Sequence, residues 1–325
     1  PMDYIEASCF KCHQKEAYIK NANKLTLGLT LIEKYGCNGC HLIQPYQERR
    51  KAGPDLKNIA QKTTKDWTKK WIKDPRGFRF NTHMPSFFGQ ENNSADSLKA
   101  RVETEIAVVT EYLFKSGEKM NSENDHLYLG NNENGQKLFE SIGCLGCHIL
   151  DAEKETLDSG ANLTNMLRRH GPNLIGLGSK TSAEWLYNWL MDPTGYWSDT
   201  RMPNLRLTPE EAKDITAYLL SFSNQEFESL LTPEVDFAEL DKITYRWLLK
   251  MYTVAQSQDK LKKMSEAEKI EYVAKKTIRF YGCFGCHNIP GFEDAKPIGT
   301  ELTYEGSKTV DKLAFGFIHD IDHTT

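Results

Sequence analysis

The chain of 325 residues is 39% hydrophobic and 11% aromatic, with a mean hydropathy of −0.58 and a formal net charge of −4. That length can bury a core without disulfide staples, and roughly one domain per 100–200 residues predicts two or three domains. No apolar run approaches the roughly 20 residues that span a bilayer, and no Lys/Arg cluster with interleaved aromatics points to nucleic acid. The charge is uneven. Residues 1–80 hold 16 Lys/Arg and 8 Asp/Glu (+8), residues 81–240 hold 12 and 25 (−13), and residues 241–325 hold 13 and 12 (+1). A basic end beside an acidic middle can steer charged partners, or can simply be solvated surface.

In chain order, residues 1–23 contain Cys9-Phe10-Lys11-Cys12-His13. Next, Leu31–Gly36 has helical apolar spacing and leads into Cys37-Asn38-Gly39-Cys40-His41. Leu138–Gly143 leads likewise into Cys144-Leu145-Gly146-Cys147-His148, and Thr277–Gly282 into Cys283-Phe284-Gly285-Cys286-His287. The glycine before each of these three motifs suits a helix C-terminus. The four motifs use all eight cysteines. Cys-x-x-Cys-His is the signature of covalent haem c attachment. A disulfide framework, paired zinc sites or thioredoxin-like pairs would also use cysteines, but none explains a histidine after every second cysteine. Four haem c groups are therefore expected, with His13, His41, His148 and His287 as proximal iron ligands.

Downstream of the second and third motifs the chain repeats at an offset of 118. Gly53-Pro54-Asp55-Leu56 matches Gly171-Pro172-Asn173-Leu174, and Lys62-Thr63 matches Lys180-Thr181. Trp67 and Trp71 match Trp185 and Trp189, and Met84-Pro85 matches Met202-Pro203. Tryptophans four apart share one helix face, and Asp74-Pro75 and Asp192-Pro193 end that helix. An apolar helix closes each copy, at Ile106–Phe114 and Ile215–Leu220. A third copy begins at an offset of 246, with Gly299-Thr300-Glu301-Leu302, and its methionine would fall at position 330, so it is incomplete as given.

These repeats resemble class I c-type cytochrome domains. The resemblance covers most of residues 24–222 and part of 273–325. It implies an all-α fold of tandem cytochrome c-like helical modules with covalently bound haems. The expected division is an N-terminal haem-binding segment (1–23), modules at 24–120 and 121–223, a helical connector (224–272) and an incomplete third module (273–325). It also implies that Met84 and Met202 are distal iron ligands. Pro54 and Pro172 would lend a carbonyl to the proximal histidine of their own module, with Thr300 in that place in the third. His83 is a rival to Met84, but its counterpart is Arg201, which cannot ligate. The haems beside His13 and His287 lack a distal ligand within their own segments. His83, His126, His170, His319 and His323 are the candidates, and a longer natural polypeptide could also supply a methionine.

Haem attachment takes place outside the cytoplasm, so a periplasmic or otherwise extracytoplasmic location and a removed export signal are expected. The leading expectation is a tetrahaem electron carrier that passes single electrons between redox protein partners, with a membrane quinol-oxidising complex as a possible donor. It could work inside a multi-subunit complex, and a catalytic role is the lesser expectation. The alternatives are a haem enzyme or respiratory subunit with one open-coordination haem, and a haem-filament subunit.

Overall fold

The computed structural model describes residues 5–13, 16, 18–46, 51–80, 82–88, 96–115, 130–150, 171–309 and 312. The fold is all-α, and the described residues contain no strand. Nine helices of two turns or more occur among them. They are α1 (Asn23–Tyr35), α2 (Lys65–Lys73), α3 (Asp96–Lys115), α4 (Asn132–Ser141), α5 (Ala183–Met191), α6 (Pro209–Leu220), α7 (Phe237–Leu248), α8 (Val254–Lys263) and α9 (Glu266–Tyr281). Among these no helix is long and apolar enough to cross a membrane.

The chain forms two compact units. One combines residues 1–50 with 296–325, and the other is residues 51–295. This is not the division that the order of the repeats suggested. The first unit is built on α1, and Ile19, Ala22, Leu29 and Tyr46 form its buried cluster. Gly36 ends α1 in the left-handed conformation (φ 65°) and donates to the Ile32 carbonyl. The segment after residue 298 then docks on the haem motif. Gly299 N–H donates to the Cys40 carbonyl at 2.6 Å and Leu302 N–H to the Leu42 carbonyl at 2.9 Å.

The second unit contains two halves, each carrying one copy of the repeat. In the contiguous half, α6 packs against α4 and α5, around Phe139, Trp185, Leu186, Leu190, Ile215 and Leu219. The helices cross closely at Gly135. A Cβ there would strike the Asp214 carbonyl group and lie 2.9 Å from the Tyr218 Cβ. Asn131 caps α4, and the Thr208/Glu211 capping box starts α6.

The other half is assembled from distant pieces. Helix α9 packs on α3, and Ile278, Phe284, Ile289 and Phe292 share a core with Ile59, Val109 and Leu113. Thus the helix and haem motif at 266–287 complete the half begun at residues 51–115. The motif at 37–41 is completed instead by residues 299–302. In the expected connector, α7 and α8 are helical, and α7 buries Leu240 and Ile243 against Val108, Val273 and Ala274.

Ion pairing also ties α3 to α9. Lys115 lies 2.8 Å from Glu271, and Lys275 lies 2.7 Å from the same carboxylate. Their hydrogen bonds pull Glu271 down from 4.5 to about 2. Its contribution to stability is therefore complete above its unfolded value and disappears as the pH falls from about 4.5 towards 2. Glu271→Gln should lower stability modestly at pH 7, the small loss expected for an exposed pair, leave it unchanged near pH 2, and so flatten the acid limb of the stability–pH curve in that window. Denaturant unfolding at several pH values checks this.

Candidate haem-binding sites

Three Cys-x-x-Cys-His motifs are delivered in the same way. A helix stops at a left-handed glycine, namely Gly36 (φ 65°), Gly143 (φ 98°) or Gly282 (φ 68°). One tight turn follows: Cys37–Cys40 and Cys283–Cys286 carry both cysteines, and Cys144–Gly146 carries the first with Cys147 as its C-cap. The histidine N–H then donates back to the first cysteine's carbonyl, at 2.9, 2.9 and 3.0 Å for His41, His148 and His287. A non-glycine residue in the left-handed region would be strained, which explains Gly-Cys as the fixed entry.

Each of these histidines is held by a second backbone segment. The Nδ1 of His148 lies 2.7 Å from the Pro172 carbonyl oxygen. The Nδ1 of His287 lies 2.9 Å from that of Pro54, and the Nδ1 of His41 lies 2.8 Å from that of Thr300. Pro54 and Thr300 are therefore exchanged relative to the sequence expectation, because the loops that carry them dock on each other's haem motif. In all three cases Nδ1–H donates to a carbonyl, so the neutral ring presents Nε2 as a metal ligand. Burial pushes His148 and His287 down, which favours the neutral form that a ligand requires.

The glycine of each docking loop lies flat on the ring. A Cβ on Gly171 would lie 2.6 Å from the His148 ring, one on Gly299 2.7 Å from His41, and one on Gly53 2.6 Å from the His287 Nδ1. The cradle is thus closed to any side chain, and the imidazole is pinned. Met84 and Met202 are half-buried in matching places. Trp71 Nε1 donates to the Met84 sulfur and Trp189 Nε1 to the Met202 sulfur, each at 2.9 Å. Thr64 and Ser182 cap the tryptophan helices α2 and α5, and the tryptophan pairs stack at 5.2 and 5.4 Å. Sulfur, imidazole and paired cysteines are a donor set that fits haem c.

The same buried polar atoms lack a hydrogen-bond partner in both halves. They are the Oγ1 atoms of Thr63 and Thr181. Each half also sends a lysine into the other. Lys62 Nζ lies 4.5 Å from the Trp185 ring centroid, and Lys180 Nζ lies 4.9 Å from that of Trp67. Burial and the Arg79 charge push Lys62 down to about 8. Burial, Lys62 and Arg79 push Lys180 well below the ordinary lysine value. The offset of 118 pairs these lysines in the sequence, but only the packing reveals that they cross.

The Cys9–His13 motif is built differently. Cys9 ends the one-turn helix Ile5–Cys9, and Ser8 stands where the other motifs have glycine. His13 Nδ1 lies 2.7 Å from the Glu16 carboxylate rather than a backbone carbonyl, and both side chains are exposed. Of the candidate distal histidines, His83 is exposed beside Met84. His126, His170, His319 and His323 lie outside the described residues.

A Cys-x-x-Cys-His turn closed by a docking loop is an arrangement that fits covalently held haem c. Residues 132–223 match the family model described as cytochrome c, which makes that segment a cytochrome c domain. Covalently bound haem c and a haem-based electron-transfer role go with such a domain. The match spans 92 of 325 residues, the contiguous half of the second unit. No curated protein and no solved structure matches the chain.

Proposed function

We propose that the whole chain is an extracytoplasmic tetrahaem cytochrome that relays single electrons between redox proteins. The observation that carries this reading is the threefold recurrence of one geometry. His41, His148 and His287 each meet a loop carbonyl through Nδ1 and lie on a loop glycine, and only the His148 copy falls in the family match. The haem iron supplies the one-electron chemistry when bound. The chain's own residues orient the histidines, exclude water with the tryptophan helices and hold a thioether close by.

In this reading Met202 serves the iron bound by His148. Met84 serves the iron bound by His287, because residues 51–115 pack on α9. A soft thioether favours reduced iron and raises the potential. The basic residues 1–80 and acidic residues 81–240 offer docking faces of opposite sign to partners. The intact mass of the exported protein, with a pyridine haemochrome assay, tests the count. Four haems per chain are expected, and one haem per chain would refute the tetrahaem reading.

The Glu16 contact sets the haem beside His13 apart. A carboxylate partner makes the imidazole a stronger donor than a carbonyl does, which stabilises oxidised iron. Glu16→Gln should therefore raise the potential of this haem and leave the other three unchanged in a spectroscopically monitored redox titration.

A further inference from the structure

We propose that Lys62 and Lys180 are crossed carboxylate clamps, each reaching from its own haem-binding half to bind a haem propionate in the other. This rests on the cytochrome reading above and adds residues that the family pattern does not assign. Four observations support it.

First, the lysines are equivalents in the repeat, and their contacts are reciprocal. Lys62 stands over Trp185 and Trp189, at 4.5 and 5.9 Å from the ring centroids. Lys180 stands over Trp67 and Trp71, at 4.9 and 5.9 Å. Second, the surrounding contacts obey the same pseudo-twofold relation. The Tyr196 hydroxyl donates to the Asn58 carbonyl at 3.0 Å. Its equivalent, Phe78, lies against Gly176, the equivalent of Asn58. Third, among the described residues no carboxylate forms an ion pair with either lysine, although Arg79 adds further positive charge nearby. A half-buried lysine pair of like charge is costly unless an anion faces it. Fourth, each tryptophan wall adjoins a matching unpartnered hydroxyl, that of Thr63 in one half and that of Thr181 in the other. Ammonium and hydroxyl groups together form a carboxylate-binding set.

The crossing has a consequence that an ordinary pocket lysine would not have. Removing a positive charge beside a haem favours oxidised iron and lowers its potential. Lys62→Gln should therefore lower chiefly the potential of the haem beside His148, although Lys62 belongs to the half that holds His287. Lys180→Gln should lower chiefly that of the haem beside His287. Lys62→Arg and Lys180→Arg, which keep the charge, should retain the parent potentials.

Redox titration followed by electron paramagnetic resonance reads these shifts, with signals assigned through Met84→Ala and Met202→Ala. If a glutamine variant does not fold, Lys62→Met or Lys180→Met is read in the same way. Crossed shifts support the clamp. Uncrossed shifts, or unchanged potentials with all haems in place, overturn it. The titration is repeated in chloride and in phosphate buffer. Potentials that track phosphate would assign the lysines to a free anion and overturn the propionate assignment. Absence of covalent haem from the unmodified protein would instead refute the cytochrome reading itself.

Discussion

On the proposed ligation, Met84→Ala should remove methionine coordination from the haem beside His287 and leave the haem beside His41 unchanged. In the sequence Met84 follows His41 by 43 residues and precedes His287 by 203, so proximity along the chain favours the opposite result. The packing decides between them. Residues 51–62 dock on the Cys283–His287 turn through Gly53 N–H to the Cys286 carbonyl at 2.8 Å and Leu56 N–H to the Asn288 carbonyl at 3.0 Å. Helix α3, which closes this half, buries Val109 and Leu113 against Ile278 and Phe284. Met84 is held in the same half by Trp71. Losing the thioether should abolish one methionine–iron charge-transfer band. It should also lower one potential by a sizeable fraction of the roughly 0.8 V range that axial ligands command. Met202→Ala should do the same to the haem beside His148. Near-infrared absorption, with each haem identified by its own histidine variant, makes the assignment.

Gly135→Ala should destabilise the domain at residues 132–223 by about 3 kcal/mol, the upper part of the range for forced overpacking. The added methyl would collide with the Asp214 carbonyl group, its carbon 2.6 Å away, and with Tyr218 on α6. Neither backbone can retreat without opening the Phe139–Ile215–Leu219 core. Gly28→Ala is the internal control. It also sits inside a helix, but a Cβ there meets nothing within 4 Å. It should be neutral or stabilising by up to about 1 kcal/mol, since alanine is the better helix former. Denaturant unfolding of the full chain should separate the two variants.

Much of the local architecture was legible in the residues. Helices ending at Gly36, Gly143 and Gly282, the tryptophan helices stopped by Asp74-Pro75 and Asp192-Pro193, and the closing helices α3 and α6 all follow from spacing and capping. The pairing of the pieces was not legible, for a physical reason. Gly53-Pro54-Asp55-Leu56 and Gly299-Thr300-Glu301-Leu302 offer a haem motif the same groups, two N–H donors and a carbonyl. Backbone contacts of this kind carry no side-chain identity, so a repeat does not reveal which copy of a loop meets which copy of a helix, the same degeneracy that permits domain swapping. The contacts that break the tie lie outside the motifs. Lys51 Nζ donates to the Phe284 and His287 carbonyls at 2.6 and 3.1 Å, and the Tyr112 hydroxyl donates to the Pro290 carbonyl at 2.8 Å. Helix α7, read as part of a connector, packs on both α3 and α9 and so favours this pairing.

Zero-length carbodiimide cross-linking of the exported protein, read by peptide mass spectrometry, tests the exchange of halves most directly. Lys115 and Glu271 are already in contact at 2.8 Å, so a link between them is predicted. Links joining α3 to α1, with none from Lys115 to Glu271, would contradict the account.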